Sequence, residues 1–200
     1  LVRMHRDGLL PQGFSVKTVL HRRILGRLDE LIAFFLEHGV HDIGFNFIRP
    51  DHRARNKQWV PRLSDTTPRL RELVVLNESS LGANLAFLDI PFCKLPWELL
   101  SVPSLGRKYL GINRDRDITI FLSEHEGGRR RFAWEQERRN VMKTHPPACA
   151  PCPLRDRCEG IWRGYIDIHG AGEFDAGPGV VEACLSRGEH RSHATGTRTS

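Results

Sequence analysis

Three cysteines within ten positions, Cys149, Cys152 and Cys158, constrain this chain more than any other feature. They form a C-x2-C-x5-C run with Pro147, Pro151 and Pro153 around it. Proline fixes φ and stiffens the turn, so two sulfurs can be held converging on one centre. Cys93 and Cys184 bring the set to five. A chain of 200 residues can bury a real core without disulfides, and an odd count with a C-x2-C pair points to metal or redox chemistry. Inert buried thiols would account for one or two isolated cysteines but not three so spaced. A thioredoxin-like pair belongs at a helix N-terminus after a strand, which Ala148-Cys149-Ala150-Pro151-Cys152-Pro153 does not match. Zinc and iron-sulfur clusters both take four thiolates. Zinc ribbons usually carry two C-x2-C pairs, and this chain has one.

The chain upstream reads as alternating strands and helices. Phe14 to His21 alternates apolar and polar residues with β-branched Val16, Thr18 and Val19, the pattern of a half-buried strand. Leu28, Leu31, Ile32, Phe35 and Leu36 form one helical stripe that Gly39 should stop. Val40 to Ile48 is a second strand ended by Arg49-Pro50, and strand-helix-strand at this spacing predicts a parallel pair with a right-handed crossover. Residues 51–63 read as an Arg-rich loop at the strand's C-terminal end. Thr67-Pro68 reads as the N-cap and first residue of a helix carrying Leu70, Leu73, Val74 and Asn77 and closed by Gly82. Asn84 to Ile90 is a third strand, with Cys93 just past its end. Lys108 to Asn113 and Ile118 to Leu122 read as short strands, and Trp134 to Lys143 as a polar helix. Cys184 falls in a short helix-like turn and reads as a lone packed thiol.

Cys149 to Gly160, followed by Tyr165, Gly170 and Glu173-Phe174, resembles the C-x2-C-x5-C-x-G…Y…G-x-x-E-F signature that closes many radical S-adenosyl-L-methionine (SAM) proteins. Lys17 to His21, the helix after it and Gly39 to Pro50 are similar to the last βα units of the radical SAM partial barrel. Asp89-Ile90-Pro91-Phe92-Cys93 resembles the strand-end segment that supplies a fourth cluster ligand. The resemblance implies an α/β protein: C-terminal βα units of a partial TIM-type barrel over residues 1–93, then a Cys-rich extension of the SPASM or twitch kind over 94–185. It implies one auxiliary [4Fe-4S] cluster on Cys93, Cys149, Cys152 and Cys158, with SAM contacts near Arg22, Ile48 and Arg49 at the barrel mouth. The C-x3-C-x2-C motif that leaves one iron open for SAM does not occur in this sequence, and Ile24 stands where the family often has Asn. SAM cleavage is therefore expected only with an N-terminal radical SAM region. The Leu at position 1 and the early strand predict that the chain is a fragment. The implied partners are that N-terminal region, a ferredoxin- or flavodoxin-type reductant and a peptide, nucleoside or small-molecule substrate. The catalytic residues and the reaction stay unassigned.

A net charge of +6 admits an acidic partner, but the arginines are scattered with few aromatics between them, which does not describe a nucleic-acid surface. A zinc-stabilised nucleic-acid- or protein-binding module is the rival reading. No apolar run approaches the roughly 18 residues of a membrane helix and no secretory leader precedes the first strand, which predicts a cytoplasmic protein. Residues 186–200, rich in Ser, Thr, Gly, His and Arg, read as a disordered tail.

Overall fold

A computed structural model describes residues 1–10, 13–50, 57–110, 119–124 and 128–174. Its centre is a three-stranded parallel sheet, β1 (Ser15–Leu20), β2 (Asp42–Phe47) and β3 (Asn84–Leu88), in the order β1-β2-β3. A short helix, α1 (Val2–Arg6), precedes it with no buried residue. The crossovers are α2 (Leu28–Glu37) and α3 (Leu63–Leu76). The register aligns Thr18 with Phe45 and Phe45 with Phe87, so Leu20, Ile43, Phe45, Phe47, Leu85 and Phe87 share one face. All six are buried, in one core with Leu28 and Ile32 of α2 and Leu70, Leu73 and Val74 of α3. Strand-period and helix-period stripes thus meet as the sequence predicts. The opposite face carries Lys17 and Asn84, both exposed, and Val19, 48 % exposed. Among the described residues the sheet does not close into a barrel.

Gly39 and Gly82 stop their helices as expected, at φ +75° and +66°. The start of α3 differs. It begins at Leu63 rather than at Thr67, which leaves Pro68 inside the helix. The reason is non-local: the free N–H of Leu63 donates to Tyr165 Oη (2.9 Å) and Glu173 Oε2 (3.1 Å). Thr67 does not cap. Its hydroxyl donates to the carbonyls of Leu63 and Lys94, tying α3 to the segment after β3.

After β3 come α4 (Glu98–Ser101) and α5 (Pro103–Tyr109). The strand expected from Lys108 is therefore helix at Lys108 and Tyr109 with Leu110 as the C-cap, and residues 111–113 of that span lie outside the described residues. Pro103 opens α5, while the Tyr109 ring stacks on Phe87 at 5.6 Å and its hydroxyl accepts from Asn77 Nδ2 and donates to Glu78. Tertiary anchoring overrides the local alternation. The antiparallel pair β4 (Thr119–Glu124) and β5 (Gly128–Ala133) follows, consistent with the strand read at Ile118 to Leu122. Helix α6 (Trp134–Glu137) continues as a π-turn over Arg138–Met142, but Lys143 leaves the helical path. It pairs with Trp162 where β6 (Lys143–Thr144) meets β7 (Ile161–Trp162), and α7 (Arg163–His169) ends the order.

The core continues across Cys93. Ile161, Trp162, Tyr165 and Phe174 belong to the same buried cluster as the sheet, with the Tyr165 ring 5.9 Å from Phe47 and 5.8 Å from Phe174. Helix α7 lies so close to the end of β2 that a Cβ on Gly164 would stand 2.9 Å from Pro50 Cβ.

Candidate metal centre

Strand β3 ends at Leu88, and Asp89 then takes φ +64°, the single non-glycine residue with positive φ among those described. That left-handed step, which Asp tolerates better than most residues, turns the chain out of the sheet. Ile90 and Pro91 lead into a 3-10 turn, Phe92–Lys94, that carries Cys93. The partners come from the segment after β6. The 3-10 turn Pro147–Cys149 delivers Cys149, and a succession of tight turns follows: Cys152 N–H to Cys149 O, Arg155 N–H to Cys152 O and Cys158 N–H to Leu154 O.

All four cysteines line one pocket of about 340 Å³, counting the open solvent at its mouth, and all four are free thiols. The wall between them is largely apolar, with Phe92, Leu154, Ile161 and Phe174. The electrostatics report the same convergence. Burial pushes the Cys93 thiol up to about 12; Lys94 pulls the other way, and Cys158, Cys149 and Cys152 each add to the rise. Cys149 is raised by burial and then by Cys158 and Cys152, against Arg155. Such thiols stay protonated near neutral pH until a cationic centre takes the charge.

The C-x-G step has a structural reason. Gly160 stands at φ +78°, and a Cβ there would lie 2.3 Å from Thr144 O. Its N–H points at Cys158 Sγ, 3.4 Å away. His145 Nε2 is 2.9 Å from the Cys158 carbonyl, which only accepts, so that ring nitrogen carries the proton. Glu173 and Phe174 divide their work: Phe174 lines the pocket, and Glu173 accepts from Tyr165 Oη (2.6 Å), Leu63 N–H, Ser64 Oγ and Arg62.

Around the two cysteine-bearing segments lies a network that the sequence does not announce. Lys143, 2 % exposed, donates from Nζ to Asp89 Oδ1 (2.8 Å) and Glu159 Oε2 (2.6 Å). Arg138 bridges the same carboxylates, to Asp89 Oδ1 at 3.2 Å and Glu159 Oε1 at 2.5 Å. The Lys143 ammonium also lies 4.7 Å from the Trp162 ring centroid. A lysine at the end of a polar helix reads as a solvated charge. The available hint was its place just before Thr144-His145-Pro146-Pro147, where the helix has to stop.

The residues expected at a barrel mouth do stand at neighbouring strand ends. Ile48 is buried, with its N–H on Leu20 O. Arg22 is held by its own chain, its N–H on Trp59 O and its guanidinium on Val60 O. Arg49 reaches Met142 Sδ at 3.9 Å. Ile24 packs against the core. Cys184 and the 186–200 tail lie outside the described residues.

Among the described residues no three His, Cys, Asp or Glu side chains form a group that could hold a metal ion. Zinc at about 2.3 Å from each of four sulfurs would draw them to within about 3.8 Å of one another. A four-iron cluster binds each thiolate to a different iron and fits a wider ring of sulfurs. Among the described residues no helix is long and apolar enough to cross a membrane. No protein-family model matches the chain, and neither a curated protein nor a solved structure shows significant similarity to it.

Proposed function

We propose that this chain is the C-terminal part of a radical SAM enzyme and holds one auxiliary [4Fe-4S] cluster through Cys93, Cys149, Cys152 and Cys158. The observation that carries this reading is the meeting of four thiols from two separate segments around one apolar pocket. The exposed Lys17 and Val19 on the second face of the edge strand β1 support the partial-barrel part, since parallel sheets are ordinarily covered on both faces and further βα units would cover that edge. When bound, such a cluster supplies one-electron transfer, here to or from a substrate radical. The protein's own residues do the rest. Four thiolates leave no iron position for substrate, Phe92, Leu154, Ile161 and Phe174 supply an apolar wall, and Gly160 N–H directs a hydrogen bond at Cys158 Sγ. SAM binding, near Arg22, Ile48 and Arg49, belongs to the barrel completed by an N-terminal region, as do the ferredoxin- or flavodoxin-type reductant and the substrate.

The test is anaerobic reconstitution followed by iron, sulfide and zinc analysis. Four irons and four sulfides per chain are expected, lost in Cys93→Ala and kept in Cys184→Ala. A colourless protein with one zinc would overturn the reading in favour of a zinc-stabilised binding module, and loss of iron in Cys184→Ala alone would overturn the ligand set.

A further inference from the structure

We infer that Lys143 is a positioning residue: its buried ammonium, gripping Asp89 and Glu159, keeps Cys93 in register with the Cys149–Cys158 loop. Asp89 lies four positions before Cys93 and Glu159 directly follows Cys158. One ammonium at 2.8 and 2.6 Å from the two carboxylates thus fastens the two cysteine-bearing segments together next to the thiols themselves.

Three observations carry this. Lys143 is 2 % exposed, and an ammonium this deeply desolvated is stable only against fixed opposite charge. Asp89 is held at φ +64°, a conformation that ordinarily costs a non-glycine residue about 1–3 kcal/mol and persists where its surroundings over-determine it. Lys143 and Arg138 are those surroundings, meeting at the same Oδ1. Finally, Lys143 sits in β6, whose pairing with β7 brackets the cysteine loop, so the clamp is fixed to the frame that carries Cys149, Cys152 and Cys158. Lys143, Arg138 and the half-exposed Arg139, 3.7 Å from Glu159 Oε1, face the two carboxylates, and removing Lys143 takes away the one cation that is fully buried beside the thiols. Only the electronic consequence rests on the cluster proposal. The register does not.

The experiment uses the full chain in two arms. In the first, the metal-free protein is treated with dibromobimane, which joins neighbouring thiols, and the linked peptides are mapped. Wild type should join Cys93 to the later trio. Lys143→Met should lose that product at least tenfold while links within Cys149, Cys152 and Cys158 persist, and Lys143→Arg should restore much of it. Equal Cys93 linkage in wild type and Lys143→Met, or none in wild type, would overturn the inference. If Lys143→Met fails to fold, Asp89→Asn decides instead, because Asn accepts the left-handed backbone and removes only the charge; undiminished linkage there would likewise overturn it. In the second arm, redox titration of the reconstituted proteins followed by electron paramagnetic resonance should show a more negative midpoint potential in Lys143→Met and recovery in Lys143→Arg. An unchanged potential would refute proximity of the charge to the cluster. A wild-type chain that takes up no iron defeats the cluster proposal, while the linkage arm still decides the register.

Discussion

Replacing Glu173 should damage the fold from more than a hundred positions away, by uncapping α3. Its side chain is 13 % exposed and takes the Leu63 N–H, an orphan donor at the helix start, together with Ser64 Oγ and Tyr165 Oη. Loss of a helix cap costs about 0.5–2 kcal/mol, and loss of a hydrogen bond to a charged group about 1.5–3 kcal/mol. Arg62 is half exposed, so its ion pair adds little. These contributions share one carboxylate and do not add fully, so Glu173→Ala should cost about 2–4 kcal/mol, a fall of roughly 5–15 °C in Tm for a chain of this size. Glu173→Gln, which keeps the shape and one acceptor, should cost about 1–2 kcal/mol. The pH dependence has a definite sign. Burial alone would raise the Glu173 carboxyl, but the donors Tyr165, Arg62 and Ser64 outweigh it and hold the group below its ordinary 4.5. Its stabilisation is therefore complete above about pH 4.5 and fades as pH falls through the lower folded value. Urea unfolding of wild type and Glu173→Gln should give a constant gap between pH 6 and 8 that closes in acid. A Glu173→Ala chain within 0.5 kcal/mol of wild type, or a gap that ignores pH, would refute the cap.

Gly160→Ala should lose about 1–3 kcal/mol from the backbone alone, and more from the clash with Thr144 O, seen as a lower urea midpoint and poorer iron retention. Asn77→Ala strips partners from the buried Ala83 N–H and carbonyl and from Tyr109 Oη, and should cost about 1–3 kcal/mol in urea unfolding without changing iron uptake.

The parts of this fold that were legible from sequence depend on near neighbours. The alternation from Phe14 and the stripe from Leu28 to Leu36 show in a short window, and Gly39 and Gly82 mark their ends because a left-handed step favours glycine. The spacing of Cys149, Cys152 and Cys158 placed three thiols near one another, and the structure lines one pocket with these three and Cys93. What was hidden depends on distant partners. The start of α3 is set by Tyr165 and Glu173, so Thr67-Pro68 looked like a cap when it was not one. Tyr109 is helical because Phe87, Asn77 and Glu78 receive it. Lys143 is buried because two carboxylates, one in each direction along the chain, close over it.

The single core that runs from β2 into α7 bears on the order of events during biosynthesis. Phe47 and Leu63 are completed by Tyr165, which for Leu63 lies 102 positions downstream. At about 5–20 residues per second, the ribosome delivers that partner roughly 5–20 s after the strand and helix that need it. Through that interval the first half of the chain presents Phe47 and an uncapped α3 to its surroundings. Folding of this polypeptide is thus predicted to finish only after release of its C-terminal segment, and a nascent chain stalled before Tyr165 should bind a trigger-type holdase and yield to protease.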